Sequence, residues 1–300
     1  MPVNVARIRD QPATVRSYTW SECDVLLYAL ALGFGSDPGD SKTLPFVYEG
    51  RLKIVPTLPT TLAWVAEPLF SALGADPLTA LHGGQKIVIH RPLNSPMTVV
   101  AHGTVVGVYD KGPGRGALIV TEHVLTDALD GERVATLTTT CVSRFEGGCG
   151  SLGPPPSAPP ELPKRRADVV VELPARQDAA LLYRLTGDRN PLHVDPAVAR
   201  AAGFPRPILH GLCTFGMACR AVLQVYADFD PSRIRSLEAR FTAPVLPGET
   251  LSFELWRDGD VISLRTRVIG RSVVALNHGR CTLQSPSDEP PAGQQRRSLQ

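Results

Sequence analysis

Hydrophobic and polar positions follow two different periods in the second half of the chain, and each period predicts a different element. Residues 211–226, GLCTFGMACRAVLQVY, are apolar on nearly every helical face, so this helix has to be buried on all sides. Residues 237–243 and 251–255 alternate apolar with polar side chains, which is the period of a strand with one buried face. An Asp-Gly pair then predicts a hairpin turn into residues 261–269. A buried helix wrapped by antiparallel strands indicates an α+β fold.

Short sequence patterns of the first half recur in the second half, in the same order and at offsets of roughly 151 to 155 residues. A near-constant offset favours an internal duplication over chance. The matching segments are Leu26-Leu27-Tyr28 with Leu181-Leu182-Tyr183, Pro56-Thr57-Leu58 with Pro207-Ile208-Leu209, and the strand patterns 85–93 with 238–246. The sequence therefore predicts one α+β unit built twice.

A segment rich in Gly, Pro and Ser separates the two halves. Residues 147–163 read GGCGSLGPPPSAPPELP, a composition that sustains neither helix nor strand and holds domains apart semi-rigidly. We therefore expect an N-terminal repeat over residues 1–146, a linker over 147–163, a C-terminal repeat over 164–284 and a flexible tail over 285–300.

Composition and charge narrow the class of protein. A formal charge of +2 gives no general attraction to nucleic acid or to anionic membranes. The longest apolar run, residues 25–34, is too short to span a bilayer, and the N-terminus lacks the apolar region of a signal peptide. We therefore expect a cytoplasmic protein. The six cysteines have no CxxC spacing, which predicts free thiols.

Asp188 and His193 are the first candidates for chemistry. The Asn190-Pro191 pair between them predicts a turn followed by a helical turn, which can point a carboxylate and an imidazole into one small space. Such a pair can remove one proton from a water molecule and deliver a proton elsewhere, and the Asn190 carboxamide could hold that water. The alternative interpretation is an ordinary turn with a surface histidine. Asp195 is better explained as a helix cap than as a metal ligand.

Gly211 stands at the predicted start of the buried helix. The first N–H groups of a helix lack internal partners and lie at the positive end of its dipole, so a glycine there can donate to a developing oxyanion. The alternative is that Gly211 only permits tight packing. We expect the neighbouring His210 to be structural and bonded to the backbone.

These motifs together identify a resemblance. Residues 182–216, LYRLTGDRNPLHVDPAVARAAGFPRPILHGLCTFG, resemble the signature of the (R)-specific enoyl-CoA hydratase 2 family, the MaoC-like dehydratases with the hot-dog fold. The similarity extends over about residues 24–283 and is to the complete double hot-dog hydratase unit of peroxisomal multifunctional enzymes type 2. It implies that Asp188 and His193 form the catalytic pair, that Asn190 helps to orient the water, and that the Gly211 N–H binds the thioester oxygen.

The resemblance also implies substrate contacts. His82 and Gly83 match a His-Gly pair that contacts the CoA thioester, Lys111 matches a lysine in an Asp-Lys-Gly turn, and Phe241 matches a strand phenylalanine. Gly84 departs from the glutamate that related enzymes often carry. The first half has GFGSDPGD at residues 33–40 in place of the active motif, which implies a non-catalytic repeat that accommodates the acyl chain.

The function expected from residues and resemblance is the reversible hydration of trans-2-enoyl-CoA to (R)-3-hydroxyacyl-CoA. We expect no metal and no cofactor beyond the coenzyme A that the substrate carries, no nucleic-acid or membrane partner, and a possible homodimer. The alternatives are a dehydratase for acyl-carrier-protein, branched or dicarboxylic thioesters, and a non-catalytic acyl-thioester binding protein. A thioesterase is less favoured because nothing else marks a hydrolytic centre.

Overall fold

Ten antiparallel strands form one continuous sheet in the part of the chain that the computed structural model describes, residues 5–9, 12–63, 80–143, 147–154 and 157–284. Their order across the sheet is β1-β3-β4-β5-β2-β7-β10-β9-β8-β6. The strands are β1 Thr14–Trp20, β2 Ala80–Ile89, β3 Met97–Asp110, β4 Ala117–Asp127, β5 Arg133–Ser143, β6 Val169–Pro174, β7 Ile234–Phe241, β8 Thr250–Asp258, β9 Val261–Val268 and β10 Val273–Leu283. The first five come from the N-terminal half and the last five from the C-terminal half.

The long helix at residues 211–226 packs against β6, β7, β8 and β10, and the helix at residues 22–31 contacts β1. The α-helices in the described residues are α1 Val5–Arg9, α2 Glu22–Ala31, α3 Ala179–Tyr183, α4 Pro196–Ala201 and α5 Gly211–Tyr226. Short 3₁₀ turns occur at Leu44–Phe46, Glu49–Arg51, Leu58–Ala63, Arg184–Thr186, Pro191–His193, Pro231–Arg233 and Ile269–Arg271. The α+β class predicted from the sequence is confirmed.

The buried helix predicted at residues 211–226 is confirmed as α5, with twelve consecutive buried residues from Leu212 to Leu223. The predicted hairpin is confirmed as β8 and β9, which pair from Leu251–Val268 to Asp258–Val261. The helix cap predicted at Asp195 is confirmed, because its carboxylate accepts the N–H groups of Ala197 and Val198 at the start of α4.

The recurring segments of the two halves meet where the halves join. Strands β2 and β7, which carry the matching strand patterns, are hydrogen-bonded to each other, with Gln85 opposite Ala239. Tyr28 of α2 and Tyr183 of α3, the matching tyrosines, have ring centroids 5.7 Å apart. We call the β2–β7 pairing the seam. It makes the two repeats one sheet.

Two predicted strand segments were too long. The pattern over 85–93 forms strand only to Ile89, and the pattern over 238–246 forms strand only to Phe241. Pro92 and Pro244 lie just beyond these ends, and proline supplies no N–H to a ladder and restricts the residue before it. Strand β2 in turn begins at Ala80, five residues before the predicted segment.

A buried arginine ties α5 to the N-terminal half. Arg220 is 9% exposed, donates from Nη1 to the Leu32 carbonyl oxygen at 2.9 Å, and lies over the Phe34 ring at 5.0 Å. Gly33 allows this approach, because a Cβ there would lie 2.6 Å from the same Nη1 atom and its φ of +85° favours glycine. The sequence pattern contained no indication of this contact.

The first residues of the Gly/Pro-rich segment are attached to the N-terminal repeat. Leu152 forms an isolated bridge with Val108 of β3, and the Asp110 carboxylate accepts the N–H groups of Gly148 and Gly150 at 2.8 Å each.

The predicted tail, residues 285–300, lies outside the described residues. All six cysteines are free thiols, as predicted. None of the described helices combines the length and apolar character needed to cross a membrane.

His123 of β4 is buried at 2% exposure, and neither of its ring nitrogens has a hydrogen-bond partner among the described residues. Burial lowers its pKa from 6.5 to about 4. An unfolded chain therefore binds a proton at this residue near pH 6.5, whereas the folded protein resists protonation until about pH 4. Between these values the unfolded state holds more protons, so acidification favours unfolding.

We predict that His123→Leu flattens the loss of stability between about pH 6.5 and pH 4. The removed contribution is up to about 3 kcal/mol, since one pKa unit corresponds to about 1.36 kcal/mol. Urea unfolding across this pH range measures it. His102→Gln on the exposed face of β3 is the control and should keep the wild-type slope. Equal slopes in the His123 variant and the wild type would contradict the prediction.

Candidate active site

The loop after α3 is built from side chains that bond to their own backbone. Gly187 has φ 142°, a conformation that favours glycine, and it ends the 3₁₀ turn that follows α3. The Asp188 carboxylate then accepts the N–H of Asn190 at 3.1 Å, and the Asn190 carboxamide oxygen accepts the N–H of Leu192 at 3.0 Å. The turn and helical turn predicted around Asn190-Pro191 are therefore confirmed.

Asp188 and His193 face each other across a short gap. Asp188 Oδ2 lies 3.9 Å from His193 Nε2, which is too long for a hydrogen bond between them. His193 is 9% exposed, and its Nδ1–H donates to the Ile208 carbonyl oxygen at 2.9 Å. That bond leaves the Nε2 lone pair directed to the Asp188 side. The gap suits a small polar molecule that contacts both groups.

The charge state of His193 follows from its surroundings. Burial lowers its pKa, while the nearby Asp188 carboxylate and the Ile208 carbonyl oxygen act in the opposite direction. The direction that results is downward, so the imidazole is neutral near pH 7. A neutral imidazole can accept a proton at Nε2, as general-base chemistry requires.

His210 contacts both Asp188 and His193. Its ring stacks on the His193 ring with centroids 3.7 Å apart and an interplanar angle of 26°. Its Nε2–H donates to the Asp188 carbonyl oxygen at 3.1 Å, which confirms the predicted backbone bond. Burial and the neighbouring His193 lower the pKa of His210 to about 2, so it stays neutral. His210 thereby fixes the positions of both Asp188 and His193.

The start of α5 lies beside Phe241 and His82. A Cβ on Gly211 would lie 3.1 Å from the Phe241 ring, so the helix end and this ring are in close contact. The Phe241 and His82 rings have centroids 4.6 Å apart. Phe241 thus lies close both to Gly211 of the C-terminal repeat and to His82 of the N-terminal repeat.

The two glycines after His82 lie close to the neighbouring strands β5 and β7. A bulge separates His82 from Gly84 in the pairing of β2 with β5. A Cβ on Gly83 would lie 2.6 Å from Val142 Cγ2, and one on Gly84 would lie 3.3 Å from the Ala239 carbonyl oxygen. His82 itself contacts the Gly84 carbonyl oxygen at 3.1 Å from Nε2, and burial lowers its pKa to about 4.

Lys111 is more distant from this group. It is exposed in the turn between β3 and β4, at the same end of the sheet as His82 but with β5 and β4 between them. The turn is held by Asp110, whose carboxylate accepts three backbone N–H groups and has a lowered pKa for that reason. Sequence reasoning missed Asp110, although an aspartate two residues before glycine is typical of such turns.

Asp188, His193 and His210 also form a cluster whose side-chain ligand atoms lie within 4.8 Å of one another. The donor geometry does not suit a metal ion. Imidazole lone pairs lie in the ring planes, and the two rings are nearly parallel and 3.7 Å apart, so they cannot converge on one ion. Each ring also has one nitrogen at a backbone carbonyl oxygen.

The fold and this site have known relatives. A family model described as MaoC like domain matches residues 158–277, and one described as MFE-2 hydratase 2 N-terminal domain matches residues 18–144. The chain is 42% identical over 245 residues to 3-hydroxyacyl-thioester dehydratase Y of Mycobacterium tuberculosis, covering 80% of this chain and 83% of that protein. It is 37% identical over 276 residues to the peroxisomal enoyl-CoA hydratase 2 of Arabidopsis thaliana, covering 86% and 89%.

Solved structures of related proteins have the same fold as this chain. The crystal structure of a MaoC-like dehydratase from Phytophthora capsici matches with a TM-score of 0.84 and 31% identity, over 94% of this chain and 99% of that one. The full-length peroxisomal multifunctional enzyme type 2 of Drosophila melanogaster matches with a TM-score of 0.80 and 31% identity, over 91% of this chain and 48% of that one.

Two α+β repeats joined in one sheet define a double hot-dog protein, which confirms the predicted fold. Both halves match their respective family models, and the full-length relatives are matched over more than four fifths of their length. The chain belongs to the MaoC-like dehydratase family, in its enoyl-CoA hydratase 2 branch.

Proposed function

We propose that this protein is an (R)-specific 2-enoyl-CoA hydratase. It adds water reversibly to trans-2-enoyl-CoA and forms (R)-3-hydroxyacyl-CoA, the reaction of a hydro-lyase. Membership of the hydratase 2 branch supports the reaction class. The observation that carries the proposal is the 3.9 Å gap between Asp188 Oδ2 and His193 Nε2, beside the N-terminus of α5.

Hydration of the double bond needs a base for water and a proton for the α-carbon. A water in the gap contacts both members of the pair, and one of them takes its proton as the oxygen bonds to the β-carbon. A proton from the pair reaches the α-carbon, so one water is added in total. Because both new bonds come from one water site, they form on the same face of the double bond.

The negative charge that develops on the thioester oxygen needs a hydrogen-bond donor. The Gly211 N–H at the start of α5 can donate to it, and the positive end of the helix dipole adds to the stabilisation. Loss of one such donor typically costs about 2.7–4 kcal/mol of activation free energy. The site thus supplies backbone dipoles at the position of the oxyanion.

Asn190 has one group available for the water. Its carboxamide oxygen accepts the Leu192 N–H, so the amide NH₂ is the part that can donate to the water oxygen.

In the same proposal His82, Gly83 and Phe241 contact the thioester end of the substrate, and Lys111 attracts the phosphates of coenzyme A. The N-terminal repeat accommodates the acyl chain. A homodimer and a cytoplasmic location complete the proposal.

We predict that Asp188→Asn and His193→Ala each remove most turnover while the fold stays intact. The carboxamide oxygen introduced by Asp188→Asn can still accept the Asn190 N–H, so the turn is preserved while the carboxylate base is lost. Each substitution should lower kcat by about 100-fold or more, the size expected for a general acid or base. Steady-state hydration of crotonyl-CoA measures kcat, and circular dichroism checks the fold. Near-normal kcat in either folded variant would refute the role of the pair.

We predict that the product has R configuration. The protein should hydrate enoyl-CoA esters of increasing chain length, and an (R)-specific 3-hydroxyacyl-CoA dehydrogenase should oxidise the product with NADH formation. An (S)-specific dehydrogenase added in its place is the matched control. A signal only with the (S)-specific enzyme would refute the stereochemistry, and no turnover with any CoA ester would favour an acyl-carrier-protein substrate or a binding protein.

We predict that the N-terminal repeat performs no chemistry of its own. Asp37 is exposed, and its carboxylate accepts the N–H of Gly39 at 2.9 Å within its own turn. Asp37→Ala should therefore leave kcat within about twofold of wild type in the crotonyl-CoA assay, because surface changes of this kind have small effects. A loss comparable to that of Asp188→Asn would mean that both repeats are catalytic.

A further inference from the structure

A cavity of about 780 Å³ opens at the end of the seam that is remote from Gly211 and His82. It is bounded by the last residue of β2, the first residues of β7 and the segment 52–56 of the N-terminal repeat. His82 and Ile89 are seven positions apart on β2, which corresponds to roughly 23 Å along an extended strand. Volumes of this size are typical of small-molecule sites. None of the residues that the proposed hydration assigns to the reaction or to the thioester lines this cavity.

Apolar side chains form much of its wall. The aliphatic residues that line it are Leu52, Ile54, Ile89, Leu93 and Ile234, together with three prolines. Ile54, Ile89 and Ile234 are buried, so they present a fixed surface. A wall of this kind favours a ligand with a hydrocarbon segment, since its burial removes apolar area from water.

Positive charge surrounds that wall. The cationic residues lining the cavity are Lys53, Arg91, Arg233 and Arg235, and Asp230 is the one lining carboxylate among the described residues. Asp230 already accepts bonds from the Ser232 N–H and hydroxyl. Arg91 is paired with Asp127 and Asp130 outside the cavity. The lining therefore keeps an excess of positive charge.

Three of these cations retain unused donors. Lys53 Nζ donates to the Phe229 carbonyl oxygen at 3.0 Å, and one guanidinium nitrogen of Arg235 donates to the Ile89 carbonyl oxygen. Lysine has three donors and arginine five, so both residues have others to offer. The Arg233 side chain makes no hydrogen bond or ion pair within the described ranges. These donors can meet a carboxylate or phosphate group.

We propose that this cavity binds an amphipathic anion: a hydrocarbon chain that ends in a carboxylate or phosphate group. The chain lies on the aliphatic wall, and the head group lies among Lys53, Arg233 and Arg235. The site is separate from the thioester site because it occupies the other end of the seam. The protein thus has a second ligand site, one that recognises the charge and the hydrocarbon of its ligand together.

Calorimetric titration of the full chain tests this site, with decanoate and decyl phosphate as probes. Both should bind wild type. Arg233→Glu should weaken them by about tenfold or more, because it places a carboxylate among the head-group donors. Arg166→Glu, the same charge change at an exposed residue outside the cavity, should leave both affinities unchanged. Arg233→Gln, which removes the charge without reversing it, gives an intermediate loss and covers the case in which Arg233→Glu does not fold.

Two further probes separate the contributions of charge and chain. Decyltrimethylammonium has the chain with the opposite charge and should not bind, and coenzyme A without an acyl group has phosphates without the chain and should bind equally to both glutamate variants. Equal decanoate affinity in the two glutamate variants, or equal binding of the cationic probe, would overturn the proposal. Loss of coenzyme A binding in Arg233→Glu with decanoate unaffected would assign the cavity to nucleotide phosphates and would overturn it as well.

Discussion

Strands β2 and β7 are hydrogen-bonded from Gly84–Arg240 to Val88–Ser236, and this ladder joins the two repeats into one sheet. The two halves of the candidate site depend on it. His82 lies in β2 of the N-terminal repeat, and Phe241 is the last residue of β7 in the C-terminal repeat. The pairing of these strands therefore sets the 4.6 Å separation of the two rings. A one-residue slip in this register would turn His82 away from Phe241. The candidate site therefore contains residues from both repeats, although the proposed proton-transfer groups come from one of them.

Hydrogen bonds to the backbone hold the side chains that the C-terminal repeat contributes to the candidate site. Asp188, Asn190 and Asp195 each bond to N–H groups two residues farther along the chain, so the loop has little freedom once these bonds form. His193 and His210 each have one ring nitrogen at a backbone carbonyl oxygen. Burial keeps both rings neutral, and the stacked rings would repel each other if both were charged. Local bonds and burial together define the positions of the proposed proton-transfer groups in the absence of substrate.

The sequence was sufficient for features that depend on local periodicity or turn chemistry. Helix α5, the β8–β9 hairpin and the turn at Asn190 each follow from residues adjacent in the chain. Features that depend on distant contacts were missed. Arg220 stands in a helix that its neighbours mark as buried, but its acceptor, the Leu32 carbonyl oxygen, is 188 residues away. The stacking of His210 on His193 requires the chain to return after α4, which no local pattern encodes. The ends of β2 and β7 were predicted too far along the chain because the segments 85–93 and 238–246 each include a proline, which supplies no N–H to a ladder.

The attachment of the Gly/Pro-rich segment to β3 changes how the two repeats are connected. The Asp110 carboxylate holds this segment at the N–H groups of Gly148 and Gly150, and Val108 pairs with Leu152. The beginning of the segment therefore moves with the N-terminal repeat, and the free crossing is shorter than the composition suggests. A short tether keeps two modules at an effective concentration on the order of millimolar, independent of how much protein is present. The β2–β7 pairing makes the contacts between the two repeats, and the Gly/Pro-rich segment keeps the repeats close to each other. The two hot-dog repeats thus form a single-chain pair, and the proposed catalytic loop is needed in only one of them.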